Sequence, residues 1–312
     1  MTETGLTAEA IALRSAEIRG LEGLASKPMS FGLLAWRRFL RHRLALIGAV
    51  GIVLIALGFI VQPWTSSWDF DEIDPIALGG DQGISAQHWF GTDDIGRDLM
   101  VRTFHGGRSS LQIALVVAVV STLIGVTLGA VAGYFGGWID VLLGQVTNLF
   151  LIVPALLVLA VFAKRWDNKN SLAIVIACLL WTGIQRVVRG LVFQIKEQEY
   201  VQAARAAGAR PGRILVRHVL PNVVGPVMVN LTLTAGTAIA LESTLSFLGL
   251  GVKPPTPTLG NLVFEAKGRI DSQPIKVLLP AFFIVAITLC INFLGDGLRD
   301  AVDPKAAGER AG

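Results

Sequence analysis

Apolar residues gather into six blocks, 44–61, 111–132, 141–163, one starting near 171, 223–250 and 277–294. Each runs to about 20 residues, enough to cross a hydrocarbon core of about 30 Å as a helix. Polar intervals separate them at 1–43, 63–108, 164–170, 185–221 and 253–273. The pattern predicts an all-α membrane protein with six transmembrane helices. A domain spanning 44–304 lies between an N-terminal segment, 1–43, and a short tail, 305–312. The second block carries Gly125 and Gly129 four residues apart, a spacing that lets helices approach closely. The third carries Gln145, Thr147, Asn148 and Pro154, and the fifth Pro226, Glu242, Ser243 and Ser246. Polar side chains in lipid are costly and turn toward other helices or a wet cavity.

Charge sets the orientation. Trp36, Arg37, Arg38, Arg41 and Arg43 stand directly before the first block, which places that end in the cytoplasm. Six spans then return the C-terminus to the same side. The 63–108 interval becomes an extracytoplasmic loop, with Trp64 and Trp68 at the interface and Asp69, Asp71, Glu72, Asp74 and Asp81 beyond it. Of the 27 lysines and arginines, seven are N-terminal, seven lie in the central loop and three at the C-terminus, against ten on outer segments. Lys164, Arg165 and Lys169 run against the bias.

Composition agrees with lipid surroundings: 53% of residues are hydrophobic and 16% charged, against about 25% charged in a soluble domain. The net charge of +4 reflects cytoplasmic loops and does not imply nucleic acid. Two cysteines, Cys178 and Cys290, both inside apolar blocks, supply no disulfide framework or metal spacing and read as packing residues. No cleavable signal peptide is visible before residue 44.

The 198–221 stretch, Q-E-Y-V-Q-A-A-R-A-A-G-A-R-P-G-R-I-L-V-R-H-V-L-P, is a polar, basic island among the spans. Residues 200–207 favour helix, Gly208 permits a sharp bend, and Pro211 suits the first turn of a second helix through 213–220. Ala203, Ala204 and Ala207 leave the first helix thin enough for another surface to approach, ringed by Arg205, Arg210, Arg213 and Arg217. Helix, turn and basic helix also describe a DNA reader, but the flanking spans leave no room for such a domain. A charged loop that merely satisfies orientation is the other plain reading.

At these residues the sequence resembles the binding-protein-dependent ABC importer permeases. Their signature runs E-A-A, three residues, G, nine residues, I-x-L-P. Gln202, Ala203 and Ala204 fall on E-A-A, Gly208 on the glycine, and Leu220 and Pro221 on the last pair. Gln202 replaces the usual Glu and His218 stands at the Ile position. The longer pattern is similar to the dipeptide and oligopeptide branch. So are H-W-F-G-T-D-D-I-G-R-D at 88–98, Y-F-G-G-W-I-D at 134–140, L-S-F-L-G-L-G at 245–251 and the C-terminal signature at 292–304. The family commonly has Arg and Asp where this chain has Gln145 and Asn148, so that charge pair is absent.

The resemblance implies a type I ABC importer permease fold in a bacterial inner membrane, with both termini cytoplasmic. It implies a second homologous permease, two cytoplasmic ATPases that hold ATP and Mg, an extracytoplasmic binding protein and a peptide substrate. The chain itself has no G-x-x-x-x-G-K-[ST] and no cofactor of its own. The expected coupling residues are Val201, Gln202, Ala203, Ala204, Arg205, Gly208, Ala209, Leu220 and Pro221, in a cytoplasmic loop over 185–221 whose 201–221 elbow acts as a rigid lever. Ala203 and Ala204 form its close-contact face. The expected translocation-path residues are Gln145, Asn148, Glu242 and Ser243. Glu242 is either a functional carboxylate or a residue reaching outer water, the second being preferred. His88 and His105 near Asp93, Asp94 and Asp98 bunch along one loop and lack the second cluster a metal needs. Other classes are a passive channel, a membrane enzyme, for which no paired nucleophile and base appear in the spans, and a non-conducting structural or sensory subunit. Nickel or another small solute is the alternative cargo; with His42, His88, His105 and His218 outside the span interiors, peptide is preferred.

Overall fold

The computed structural model describes residues 31–77, 83–163 and 168–302. Among them there is no strand, only an isolated bridge between Thr92 and Asp98. A short amphipathic helix, α1 (Phe31–Arg41), leads through His42 into α2 (Arg43–Thr65). The His42 ring closes this corner: Nδ1 accepts from the Ala45 N–H at 3.1 Å, and Nε2 lies 3.2 Å from Asp300. Then come α3 (Leu99–Phe135), α4 (Gly137–Ile152), α5 (Ala155–Phe162), α6 (Lys169–Ile195), α7 (Glu199–Ala206), α8 (Pro211–Ile214), α9 (Leu220–Phe247), α10 (Leu259–Ala266) and α11 (Pro274–Val302).

Five helices are long and apolar enough to cross a membrane, with α8 and α9 taken together, and α4 with α5 makes a sixth if the pair is one span. That pair bends by 74°. Pro154 N-caps α5 with extended backbone, and having no N–H it cannot continue α4. The straight third span expected over 141–163 is therefore two pieces. The second span also differs, because α3 starts at Leu99, twelve residues before the apolar block. Asp98 accepts the Val101 N–H at 2.8 Å and so caps the helix there.

The most extensive helix contact is between α3 and α6. A Cβ added at Gly125 would stand 2.8 Å from Ile184 Cβ, at Gly129 3.0 Å from Val188 Cβ, and at Gly133 2.8 Å from Val192 Cβ. The four-residue glycine ladder thus runs one step further than the two glycines expected to pack. It lets the backbones meet, which matters because association in lipid depends on close van der Waals contact. Around this pair stand α9, α11 and α2. Phe59, 1% exposed, fills the space above Gly107 and meets Phe104 and Phe283 with ring centroids 5.6 and 5.2 Å away. Cys290 packs beside Gly51, whereas Cys178 is exposed, contrary to its reading as a packing residue.

The bundle has two ends. At one, called the elbow end, α7 and α8 project; at the other, the loop end, lie 66–77, 83–98 and α10. Leu142, Leu149, Ile152, Leu157 and Val161 on α4 and α5 are exposed, so this arm is covered by little of the chain's own mass.

Candidate functional site

The elbow is built from its buried side outward. Val201, Ile214 and Val219 are at most 1% exposed and join Ala130, Tyr134, Val188 and Val192 in a cluster at the ends of α3 and α6. Ala204 and Ala209 are half-buried against the same cluster. Gln202, Ala203, Arg205, Ala206, Ala207 and Gly208 face outward. Ala203 rather than Ala204 therefore presents the open small-residue face, which corrects the expectation that both do. Gly208 sits at φ 80, a left-handed conformation that closes α7, with Gly208 N–H bonded to Arg205 O and Ala209 N–H to Ala204 O.

The second half of the elbow is not a separate helix through 213–220. Pro211 opens α8, a π turn follows over Leu215–Val219, and α9 begins at Leu220. Pro221 has no N–H to give the carbonyl four residues back, and the widened turn lies directly before it. Asn222 Nδ2 donates to His218 O at 2.6 Å and to Tyr200 Oη at 3.3 Å, tying α7 to this turn. Leu220 is half-buried and Pro221 exposed. The fifth span thus starts within the elbow instead of at 223.

Of the expected path residues, Gln145 and Asn148 are exposed on α4, where Asn148 Oδ1 accepts from Arg186 Nη2 at 2.9 Å. A charge pair does join α4 and α6, one turn or more away from those positions: Arg189 holds Asp140 with both Nε and Nη2, the latter at 2.7 Å from Oδ2.

Glu242 does not reach water. It is 0% exposed, with Oε1 accepting from Ser246 Oγ at 2.8 Å and Oε2 from Ser110 Oγ at 3.1 Å. Ser110 Oγ in turn accepts the Leu259 N–H at 3.2 Å, and Ser246 Oγ lies 3.4 Å from Thr258 Oγ1. Ser243, 7% exposed, packs beside Gly260. The carboxylate thus fastens the start of α10 between α3 and α9, and neither it nor Ser243 opens onto a surface of this chain.

At the loop end, His88 is wholly buried between two carboxylates, Nδ1 2.8 Å from Asp98 Oδ2 and Nε2 3.2 Å from Asp74 Oδ2. The Ile76 N–H bond holds the Asp74 carboxyl below the usual carboxylate range against the opposing effect of burial, with His88 adding to the fall. Next to it, Arg97 reaches Asp93 at 2.8 Å and Asp71 at 3.5 Å, while Arg102 pairs with Asp93 and with Glu265 at 3.2 Å. Burial pushes the Asp93 carboxyl up, but the Arg97 N–H and the two guanidinium groups outweigh it and leave it low. Asp94 meets Arg269 at 3.1 Å and Lys276 at 3.7 Å. No cluster of three or more His, Cys, Asp or Glu suited to a metal occurs among the described residues.

Residues 125–308 match the family described as binding-protein-dependent transport system inner membrane component, and residues 30–79 match the N-terminal TM domain of oligopeptide transport permease C. The oligopeptide transport system permease protein OppC of Bacillus subtilis is 39% identical over 286 residues, 91% of this chain and 93% of that protein. The dipeptide transport system permease protein DppC of Alkalihalophilus pseudofirmus is 39% identical over 272 residues, 87% and 89% of the two chains. The chain belongs to this permease family. A chain of the inward facing MetNI methionine ABC transporter shares its fold, with a TM-score of 0.50 at 19% identity, covering 66% of this permease and 98% of that chain. The permease is thus an all-helical, multi-pass membrane protein with the type I ABC importer permease fold.

Sequence reasoning missed the two loop-end networks and the Glu242 cluster as contacts. The acid–base run over 93–102 and the four-residue step from Glu242 to Ser246 were the available signals. Ser110, Asp74 and Glu265 approach from other elements and leave no local trace.

Proposed function

We propose that this permease forms, with a second homologous permease subunit, the path by which peptides enter a bacterial cell. Both termini and the elbow lie in the cytoplasm, the loop end faces outward, and an extracytoplasmic binding protein delivers the peptide there. Two cytoplasmic ATPases hold ATP and Mg, and one seats the elbow as a helix in a groove, through Gln202, Ala203, Arg205, Gly208 and Pro221, while the buried Val201 and the half-buried Ala204, Ala209 and Leu220 support that face from beneath. Gln145 and Asn148 contribute to the path. Glu242 and Ser243 support it by holding α10.

The observation that carries this reading is the outward row of small residues on α7, anchored underneath by Val201 and joined through α8 to the fifth span. The relatives named as dipeptide and oligopeptide permeases supply the cargo class. Closing the ATPases displaces the elbow and so shifts the packed spans between two arrangements.

Ala203→Arg tests the coupling, since the new side chain points to open water and strains nothing in the permease. It should leave thermal unfolding unchanged while removing co-purification with the ATPases and ATP-dependent peptide uptake in proteoliposomes. Undiminished co-purification would remove the elbow from the interface, and uptake of nickel in place of peptide would change the cargo.

A further inference from the structure

Between α4 and α6, toward the elbow end, lies a cavity of about 420 Å³ lined by Gly144, Thr147, Asn148, Gln185, Arg186 and Arg189. By the 1.5 Å rise per residue, Gln185 to Arg189 stand roughly 9–15 Å inside the Ile195 end of α6. The two arginines are differently provided for. Arg189 is neutralised by Asp140. Arg186 makes its one hydrogen bond among the described residues to Asn148, a neutral amide, so its charge is not balanced there. Beside it Gln185 is 1% exposed, and its Nε2 has no protein acceptor. A buried donor without a partner costs on the order of 1–3 kcal/mol. Gln185 and the exposed Arg186 line the same wall, and a rotation of the Gln185 side chain is needed to bring its amide to the cavity.

We infer that this cavity is an anion station on the translocation path, and that it takes the terminal carboxylate of a peptide. Two carboxylate oxygens match a guanidinium fork and leave lone pairs for an amide N–H. A cation is disfavoured, because none of the lining residues is a carboxylate and the nearby Asp140 is committed to Arg189. A lipid headgroup is disfavoured by the neighbours. Gln145 and Asn148 are exposed on the same helix at span depth, and amides facing acyl chains are costly, so this side turns to a wet or partner-lined space. α6 also leads within four residues into α7, which places the station close to the elbow. This assignment rests on the transport reading above and adds the part of the peptide that is recognised.

The test uses the complete transporter in proteoliposomes, with one labelled dipeptide supplied as free acid and as C-terminal amide. The ratio of the two uptake rates, compared between variants with the same binding protein, cancels selection by that protein. Arg186→Gln should lower the acid-to-amide ratio about 10-fold, the order expected for a lost charged hydrogen bond, and Arg186→Lys should restore most of it. A second measurement needs no variant: modification of Arg186 by phenylglyoxal, mapped by mass spectrometry, should be slowed by the free-acid dipeptide and not by its amide. An unchanged ratio with no protection overturns the station. Protection by phosphatidylglycerol and not by the peptide acid also overturns it, in favour of a lipid headgroup. If the wild type moves neither peptide, the transport reading fails, and the protection assay alone decides the site.

Discussion

Replacing Glu242 with Ala removes the acceptor for two buried hydroxyls. Ser246 Oγ and Ser110 Oγ, at 2.8 and 3.1 Å from the carboxylate, would each be left donating to nothing. An unsatisfied buried donor costs about 1–3 kcal/mol, and the emptied volume adds to it. Ser246 can turn toward a carbonyl of its own helix, whereas Ser110 is also fixed by the Leu259 N–H. The net loss should therefore be about 2–4 kcal/mol. It should fall on the packing of α10, so hydrogen exchange in 248–266 should accelerate before that of α3 or α6. Glu242→Gln keeps one carbonyl acceptor and the shape, and should cost about 1 kcal/mol. Thermal unfolding in detergent reads the total and mass-resolved exchange reads the place. A Glu242→Ala protein within about 0.5 kcal/mol of wild type, the scatter of a neutral surface change, would refute the claim that this carboxylate holds α10 in place. A stable Glu242→Gln protein without transport would show instead that its charge is used.

Two further outcomes follow from the packing and the loop. Gly129→Val would set a Cβ 2.6 Å from Gln185 O and must part α3 from α6, costing about 1–3 kcal/mol or more, while Gly183→Ala, with nothing within 4 Å, should be neutral or slightly stabilising in the same melts. Because the Asp74 and Asp93 carboxyls are depressed in the folded loop, their contribution is fully present above the unfolded value of about 3.9 and is lost as pH falls through the lower folded values. Acid-stable protease digestion should therefore leave 69–77 and 83–98 protected at pH 5 and cut them only well below pH 4; cutting there that begins near pH 6 would show that these carboxylates are not what holds the loop.

The spans could be read from the apolar blocks because lipid imposes length and hydropathy directly on sequence. Their ends could not. Arg102, His105 and Arg108 make 99–108 read as loop, yet Asp98 starts α3 there and Arg102 is paired with Asp93 and Glu265. The loop reading ends at Pro221, which instead stands in the first turn of α9, directly after one widened turn. The elbow was legible because its helix, glycine and proline are local signals. Which alanine faces outward depends on the ends of α3 and α6, and the sequence is silent on that contact. Glu242 was misplaced for the same reason: its partner Ser110 lies 132 residues away.

From Pro211 to Phe247 the chain forms one strut of 37 residues, about 55 Å long, interrupted only by the π turn. Its two tips are bolted to different neighbours: Asn222 to Tyr200 at one, Glu242 to Ser110 and, through it, the root of α10 at the other. A twist applied below therefore has no slack joint in which to dissipate before it arrives above. The same piece of backbone that another protein could grip is the piece from which the opposite rim of the bundle hangs.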